Sequence, residues 1–368
     1  MDYNSTMKYI GGEIELENAT TEISANNNKQ ALKKFKLYSS GRTAIKYILK
    51  SLDPNFPILV PSFLCESILQ PLKEAGIAYK FYAIKKDLTI DLDHLRELMS
   101  SSRFSALYFI HFFGFVSDPS TLAEIKRLDE NLVLIEDCTH LTFIPRLVTE
   151  FRFMGDISYG SLRKTLPISD GAFIYSNKYS AIEEPTKEDD DFSRLKLLGK
   201  KLRWLYLNQL ENKHLESVYL DLLQMAEERI STETPDSKIS NKAITVLENL
   251  DFEKVYQKRR ENYQSLLCKL SNDILVKKIG YVLKSFSEFD MPYMLPFYVN
   301  NGQRNRLRHQ LRGNGVFTAI IWELPQEINP DLFKESIRLS DNILCFPIDQ
   351  RYSKDDIEHV FKTLKGLL

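Results

Sequence analysis

The apolar and polar positions of the chain change period in a regular way. A polar stretch at 18–30, rich in Asn, Thr and Ser, reads as loop. It is followed by LYSSGRTAIKYILKSL, in which Ser39, Ser40 and Gly41 form a turn and Ala44, Ile45, Ile48, Leu49 and Leu52 recur at helical spacing. The ILV run after Pro57 predicts a short buried strand, and residues 62–75 a helix ending at Gly76. AYKFYAI is the next strand, and DLDHLRELM a helix with Asp91 at its N-cap. SALYFIHFF is a strand, DPSTLAEIKRLD a helix with proline in its first turn, and NLVLIED a strand again. Strands alternating with helices predict an α/β domain built on a mainly parallel sheet.

Beyond an acidic loop at 183–192 the pattern is helical from 193 to 230. Leu195, Leu198, Leu202 and Leu205 share one face, with Lys196, Lys200, Lys201 and Arg203 close by. The expectation is a helical insertion with a solvated basic side; a membrane-surface helix is the alternative. TETPDSK is a break, and AITVLENLDFEKVYQKRRENYQSLLCKL is helical. A strand (Met294–Val299), a helix (Gln303–Arg312), two strands (Val316–Ile321 and Ile343–Phe346) and a helix (Ser353–Leu367) complete a second, α+β domain. The predicted organisation is an N-terminal arm at 1–30, a large domain at 31–238 containing the insertion, and a small C-terminal domain at 239–368.

Composition narrows the class. A chain of 368 residues with 43% apolar content suits two domains with a large core. Its net charge of −1 argues against a nucleic-acid binder. Cys65, Cys138, Cys268 and Cys345 are widely separated, which suggests neither a zinc site nor a disulfide framework. The N-terminus lacks the layout of a signal peptide, and the longest apolar run, Ala106–Val116, contains His111 and is too short to span a bilayer. A cytoplasmic protein without a membrane span is expected.

In such sheets ligands collect at the carboxyl ends of strands, which singles out three segments. In SSGRTAIKYIL, a glycine turn opening a helix leaves backbone N–H groups that favour a phosphate; the plain alternative is a cap by Ser40. In LVLIEDCTH, two carboxylates end a very apolar strand, which is costly unless they are paired. Asp137 could bind a protonated ring nitrogen, or cap a loop or hold an arginine. His140 could contact the same ligand or be a structural histidine. In GDISYGSLRKTLP, Lys164 sits in a turn before the strand Ala172–Tyr175. It is either an ordinary surface lysine or a desolvated amine able to form a Schiff base with an aldehyde. A phosphate cradle, an acid for a pyridinium and an amine for an aldehyde are together the demands of pyridoxal 5′-phosphate (PLP).

The order of SGRTA, IEDCTH, GDIS, SLRK and DGAF resembles the DegT-type aminotransferases, fold-type-I PLP enzymes that mostly aminate nucleotide-linked keto sugars. IGGEIELE, ILVPSFLCESILQPLKEAGI, HFFGFVSDP, KRRENYQSL and ILCFPIDQRYSKDDIEHVFKTL extend the resemblance over most of the chain. It implies a large domain with a mainly parallel seven-stranded sheet sandwiched by helices, plus a small C-terminal α+β domain. It implies Lys164 as the Schiff-base lysine, Asp137 as partner of the pyridine nitrogen and His140 beside the cofactor. Gly41, Arg42 and Thr43, through backbone N–H groups, and Ser161, through its hydroxyl, would hold the phosphate. A keto-sugar substrate, glutamate as amino donor, a place in surface-polysaccharide or amino-sugar biosynthesis, and a homodimer with shared pockets also follow from the resemblance.

The chain departs from the family in four places. The loop between GDIS and Lys164 is slightly short. Leu64 and Cys65 stand where an aromatic residue often stacks on the cofactor, leaving Phe63 or Phe112 for that role. TETPDSKISN does not preserve an Asn-rich loop that the family lends across the dimer, and the 193–230 segment is unusual. A sugar dehydratase is the nearest alternative, but such relatives tend to replace the lysine with histidine. A catalytically silent partner in polysaccharide assembly is the other. Trp322, in AIIWELP, faces the substrate or sits in a core or interface.

Overall fold

The computed structural model describes residues 9–16, 28–52, 54–141, 153–179, 181–188, 190–209, 212–285, 287 and 290–368. In the first half the elements run β1 (Ile10–Gly11), α1 (Lys29–Leu32), β2 (Lys36–Tyr38), α2 (Gly41–Leu52), β3 (Ile58–Pro61), α3 (Glu66–Glu74) and β4 (Tyr79–Tyr82). They continue with α4 (Leu92–Ser101), β5 (Ala106–Ile110), α5 (Pro119–Leu128), β6 (Val133–Asp137), β7 (Ile157–Ser161) and β8 (Ala172–Tyr175). Most of the 18–30 stretch lies outside the described residues. The predicted Asp91 cap is present, its side chain accepting from His94 N at the start of α4; α5 has its predicted proline, Pro119, in the first turn, and Asp118 caps it.

β2 to β8 form one seven-stranded sheet in the order β2-β8-β7-β6-β5-β3-β4. β4, β3, β5, β6 and β7 are mutually parallel, while β8 runs antiparallel to both β7 and β2. Helices cover the inner strands, which explains the unbroken apolar run of β5: every one of its residues is buried. The chain moves outward from β3 to β4 and then returns to the other side of β3 at β5. That reversal opens a crevice at the carboxyl ends of the strands. Ile110, Asp137 and Tyr159 are register partners along this edge. Because β8 runs back antiparallel, the β7–β8 connection that carries Lys164 lies over the same edge.

The second half contains α6 (Asp191–Asn208), α7 (Lys213–Thr232), α8 (Asn241–Asn249), α9 (Phe252–Asn272), α10 (Ile274–Ile279), β9 (Gly280–Val282) and β10 (Leu295–Val299). It ends with α11 (Arg304–Gly313), β11 (Val316–Phe317), α12 (Lys334–Asn342), β12 (Ile343–Phe346) and α13 (Lys354–Gly366). β12, β10 and β9 make an antiparallel three-stranded sheet, and β11 pairs in parallel with β1. The predicted strand 316–321 is shorter than expected. Past Phe317 only Ala319 bridges to Cys345, and the chain then carries Trp322 toward the crevice. No helix among the described residues is long and apolar enough to cross a membrane.

The α6–α7 hairpin corrects one expectation: its basic side is buried, not solvated. Lys196 and Lys200 are 0% and 1% exposed, whereas Leu198 is 48% exposed. Carboxylates distant in sequence account for this. Lys196 pairs with Glu13 and, at 2.7 Å, with Glu227; Lys200 lies 3.7 Å from Glu13. Arg203 donates to the carbonyls of Gly11 (2.9 Å) and Glu13 (3.0 Å). Gly199 lets the two helices approach, since a Cβ there would lie 2.9 Å from Leu223.

Candidate active site

Asp137, the last residue of β6, is buried at the floor of a cleft. Its Oδ2 accepts hydrogen bonds from the phenols of Tyr108 and Tyr159, the latter at 2.7 Å, and its Oδ1 accepts from Thr139 N at 2.7 Å. A carboxylate offers about four acceptor positions, so one at Oδ1 is left. Burial, with the Asp137 charge beside them, pushes both phenols well above the ordinary tyrosine range, so they stay protonated donors. Glu136 points to the opposite face, as strand alternation requires. Its oxygens accept from His111 Nε2 (2.7 Å), Met154 N (2.9 Å), Gly155 N (2.9 Å) and Ser158 Oγ (2.5 Å). His111, Glu136 and Cys138 therefore converge, although the sequence shows no Cys/His cluster. With the carboxylate of Glu136 filled by four donors, this is a structural knot that satisfies a buried charge.

Lys164 ends a short 3-10 turn, Leu162–Lys164, directly after β7. The flanks of this turn are pinned. Thr165 O accepts from Arg259 Nη2 (3.2 Å) and Gln350 Nε2 (3.0 Å), and Asp170 accepts from Ser240 N (2.7 Å) and Ser240 Oγ (2.6 Å). Lys164 is thus held in the cleft with Asp137 and Ser161, not on a surface turn. Burial and the cations of Arg163 and Arg42 hold its ammonium below the usual lysine range, against the opposing pull of Cys65 and Asp137. A larger unprotonated fraction makes the amine a better nucleophile and base.

The start of α2 meets Lys164 from the other side. Ser40 accepts from Thr43 N through Oγ (3.1 Å) and from Ala44 N through its carbonyl (3.0 Å). The N–H groups of Gly41 and Arg42 have no acceptor among the described residues, as the first turn of a helix dictates. Gly41 sits close under β7, where a Cβ would lie 3.7 Å from Ser161. Thr43 stands apart from the cleft. Its N–H belongs to the Ser40 cap and its hydroxyl donates to Pro235 O at 3.0 Å, so the helix uses Thr43 for its own closure.

His140 is buried in a stack of rings, with centroids 4.7 Å from Tyr293 and 5.0 Å from Trp322. Its Nδ1 accepts from Phe113 N (3.2 Å). Burial and the nearby Lys164 charge hold the imidazole well below its ordinary pKa, which places the single ring proton on Nε2. That buried Nε2 has no partner among the described residues. Trp322 lines the cleft as one reading of the sequence had it. Phe63 and Phe112 do not: both pack on Trp322, with centroids at 5.4 and 6.1 Å, and Cys65 occupies the cleft wall instead.

Sequence reasoning missed the far end of the cleft, formed by the side chains of Arg42 and Arg163 with Glu227 and Ile230 of α7. Arg42 Nε donates to Gln70 Oε1 (2.8 Å), and Gln70 in turn donates to Ile230 O (3.0 Å). The adjacent Arg163–Lys164 pair in a buried turn was the available signal. Glu227, within an ordinary amphipathic helix, gives none.

No protein-family model and no curated protein sequence matches the chain. Its fold is shared with solved aminotransferases. Spr1654 from Streptococcus pneumoniae, described as a sugar aminotransferase and solved in PMP and PLP forms, is 12% identical over 99% of this chain and 98% of that chain, with a TM-score of 0.66. Helicobacter pylori PseC, an aminotransferase involved in the biosynthesis of pseudoaminic acid, is 12% identical over 98% of this chain and 99% of its own, at 0.65. A DegT DnrJ EryC1 StrS aminotransferase from Brucella abortus is 14% identical over 98% of this chain and 91% of its own, at 0.62. At these identities the likeness establishes the fold: the seven-stranded sheet and the C-terminal α/β region belong to one architecture along nearly the whole chain.

Proposed function

We propose that the chain is a PLP-dependent aminotransferase acting on a keto sugar, with glutamate as the amino donor. One observation carries the reading. A single cleft brings together an amine of lowered pKa on Lys164, a buried carboxylate with one open acceptor position on Asp137, and the unpaired N–H groups at the start of α2. These residues fit PLP part by part, and His140 Nε2, without a partner among the described residues, would offer a further donor to an oxygen of its ring. When bound, PLP supplies an aldehyde and an electron-withdrawing ring.

The rest is done by this chain. Lys164 Nζ would hold the cofactor through its aldehyde and, once the donor's amine has displaced it, would be free to take a proton from the donor carbon and return it as general base and acid. Asp137 Oδ1 would accept from the ring N–H, and the Tyr108 and Tyr159 phenols fix the carboxylate from its Oδ2 side. Gly41 and Arg42 N–H and the Ser161 hydroxyl would bind the phosphate. Trp322 offers a flat face to a sugar ring. The retained lysine favours transamination over dehydration. A nucleotide-linked substrate, a surface-polysaccharide or amino-sugar setting and a cytoplasmic homodimer complete the proposal, and sedimentation at micromolar concentration tests the dimer.

The decisive experiment adds PLP to the purified protein, reduces with borohydride and maps the adduct by mass spectrometry. A visible band that borohydride removes, with the adduct on Lys164, is expected. A protein that stays colourless and unlabelled refutes the reading.

A further inference from the structure

The far end of the cleft has charges that the proposed chemistry does not use. Two guanidiniums, Arg42 and Arg163, line it, and one carboxylate, Glu227, faces them. Arg163 is poorly served by that partner. Its Nη2 lies 3.4 Å from Glu227 Oε1, and its Nε is buried with no partner among the described residues. A guanidinium has five donors in a fixed fork that suits two oxygens of a phosphate. The fork is already oriented, because the guanidinium lies over the Phe192 ring at 5.3 Å. Glu227 is better held by Lys196, at 2.7 Å, and its side chain keeps 45% of its surface open. It can therefore give up Arg163 without becoming an unpaired buried charge.

Protonation cannot release it. Burial by itself would raise the pKa of Glu227, but Arg163 and then Lys196 outweigh this and bring it to about 2. Above mildly acid pH only another anion can exchange with this carboxylate. The exchange would be felt by the hairpin, since Gln70 ties Arg42 to Ile230 at the end of α7.

We propose that Arg163, with Arg42 beside it, is a phosphate-binding group of this cleft, and that Glu227 is the resident carboxylate which the phosphate of the ligand displaces. The proposal rests on the reading of the cleft as a PLP site. It adds to the backbone cradle of α2 a side-chain fork, and it makes α7 a competitor for that fork.

The test uses the full chain without cofactor, with inorganic phosphate, PLP and pyridoxal as probes. Thermal shift reads phosphate binding, and absorbance titration reads the other two. Glu227→Gln removes the competing charge, so half-saturation by phosphate and by PLP should fall on the order of fivefold, the scale of one charge beside a partly solvated pair. Arg163→Met should raise both by a similar or larger factor. Pyridoxal, which lacks the phosphate, should bind all three proteins alike. Equal phosphate responses in wild type and Glu227→Gln would overturn the proposal, as would a shift for pyridoxal as large as that for PLP. Circular dichroism checks that both variants fold, and Glu227→Gln decides the matter if Arg163→Met does not. A wild type that binds phosphate in this pattern but takes up neither PLP nor pyridoxal supports the anion site and refutes the cofactor reading.

Discussion

Lys200 allows a prediction with a magnitude. It is 1% exposed, donates to Ile168 O at 2.8 Å and lies 3.7 Å from Glu13. Burial, offset in part by Glu13 and reinforced by Arg163 and Lys196, lowers its pKa from 10.5 to about 8. The unfolded chain keeps the ordinary value, so between pH 8 and 10.5 the unfolded state binds more protons than the folded state. Stability from this group therefore rises with pH across that window and is flat below it. At about 1.4 kcal/mol per pKa unit, the rise is on the order of 3 kcal/mol. Other groups also titrate there, notably the buried tyrosines, so the useful quantity is a difference. The stability of wild type minus that of Lys200→Met should climb by about 3 kcal/mol from pH 7.5 to 10.5. Urea unfolding followed by circular dichroism at several pH values gives both curves. Parallel curves, with a constant difference, would show that Lys200 does not carry a depressed pKa in the fold.

Lys164→Ala should abolish the visible band and the borohydride-fixed adduct and lower turnover by at least about a thousandfold, with an unchanged circular dichroism spectrum. Asp137→Asn should retain most PLP binding, read by absorbance titration, while turnover falls by about a hundredfold or more, because the ring nitrogen loses its counter-charge. Near-normal transamination by this variant would make Asp137 structural. Arg259→Met should destabilise the protein by about 3 kcal/mol, measured by urea midpoint, since a buried guanidinium leaves its bonds to Gln350 Oε1 (2.8 Å), Tyr293 O (2.9 Å) and Thr165 O. It should also weaken PLP uptake, as Thr165 adjoins Lys164; an unchanged titration would show that the turn holds itself.

The parts of this fold that were legible are those governed by local periodicity. SALYFIHFF and NLVLIED read as buried parallel strands because residues apolar on both faces leave no other element of that length. The placing of Asp137 and Lys164 at strand ends follows from the same order of elements. The α6–α7 hairpin was read with its basic side out because its apolar stripe is visible in sequence, whereas the carboxylates that draw Lys196, Lys200 and Arg203 inward sit on Glu13, Glu15 and Glu227. Burial of charge depends on partners, and partners are a property of the tertiary fold. The same limit hid Glu227 from the cleft, and the use of Thr43 in a cap could not be separated from its use on a phosphate by sequence alone. Glu136 and Asp137 were seen as a costly pair; their division between two faces became apparent only with His111, Tyr108 and Tyr159 around them.

The short arm at Ile10–Leu16 has a consequence in time. Its backbone is clasped by residues that are translated far later: Gly11 N donates to the Tyr352 hydroxyl, 341 positions on, Ile10 pairs with Val316, and Arg351 pairs with Glu15. Until the ribosome has delivered those residues the arm can be held only from the side of α6, through Arg203 and the lysines that pair with Glu13. The arm is thus fully clasped only after residues far along the chain are in place. Threading it between the hairpin and the C-terminal region closes a circuit that ends beside Arg163, one residue from the proposed reactive lysine. The sheet can form from contacts nearer in sequence, but the electrostatic setting of the cleft is completed only when residues 10–16 meet residues 316–352.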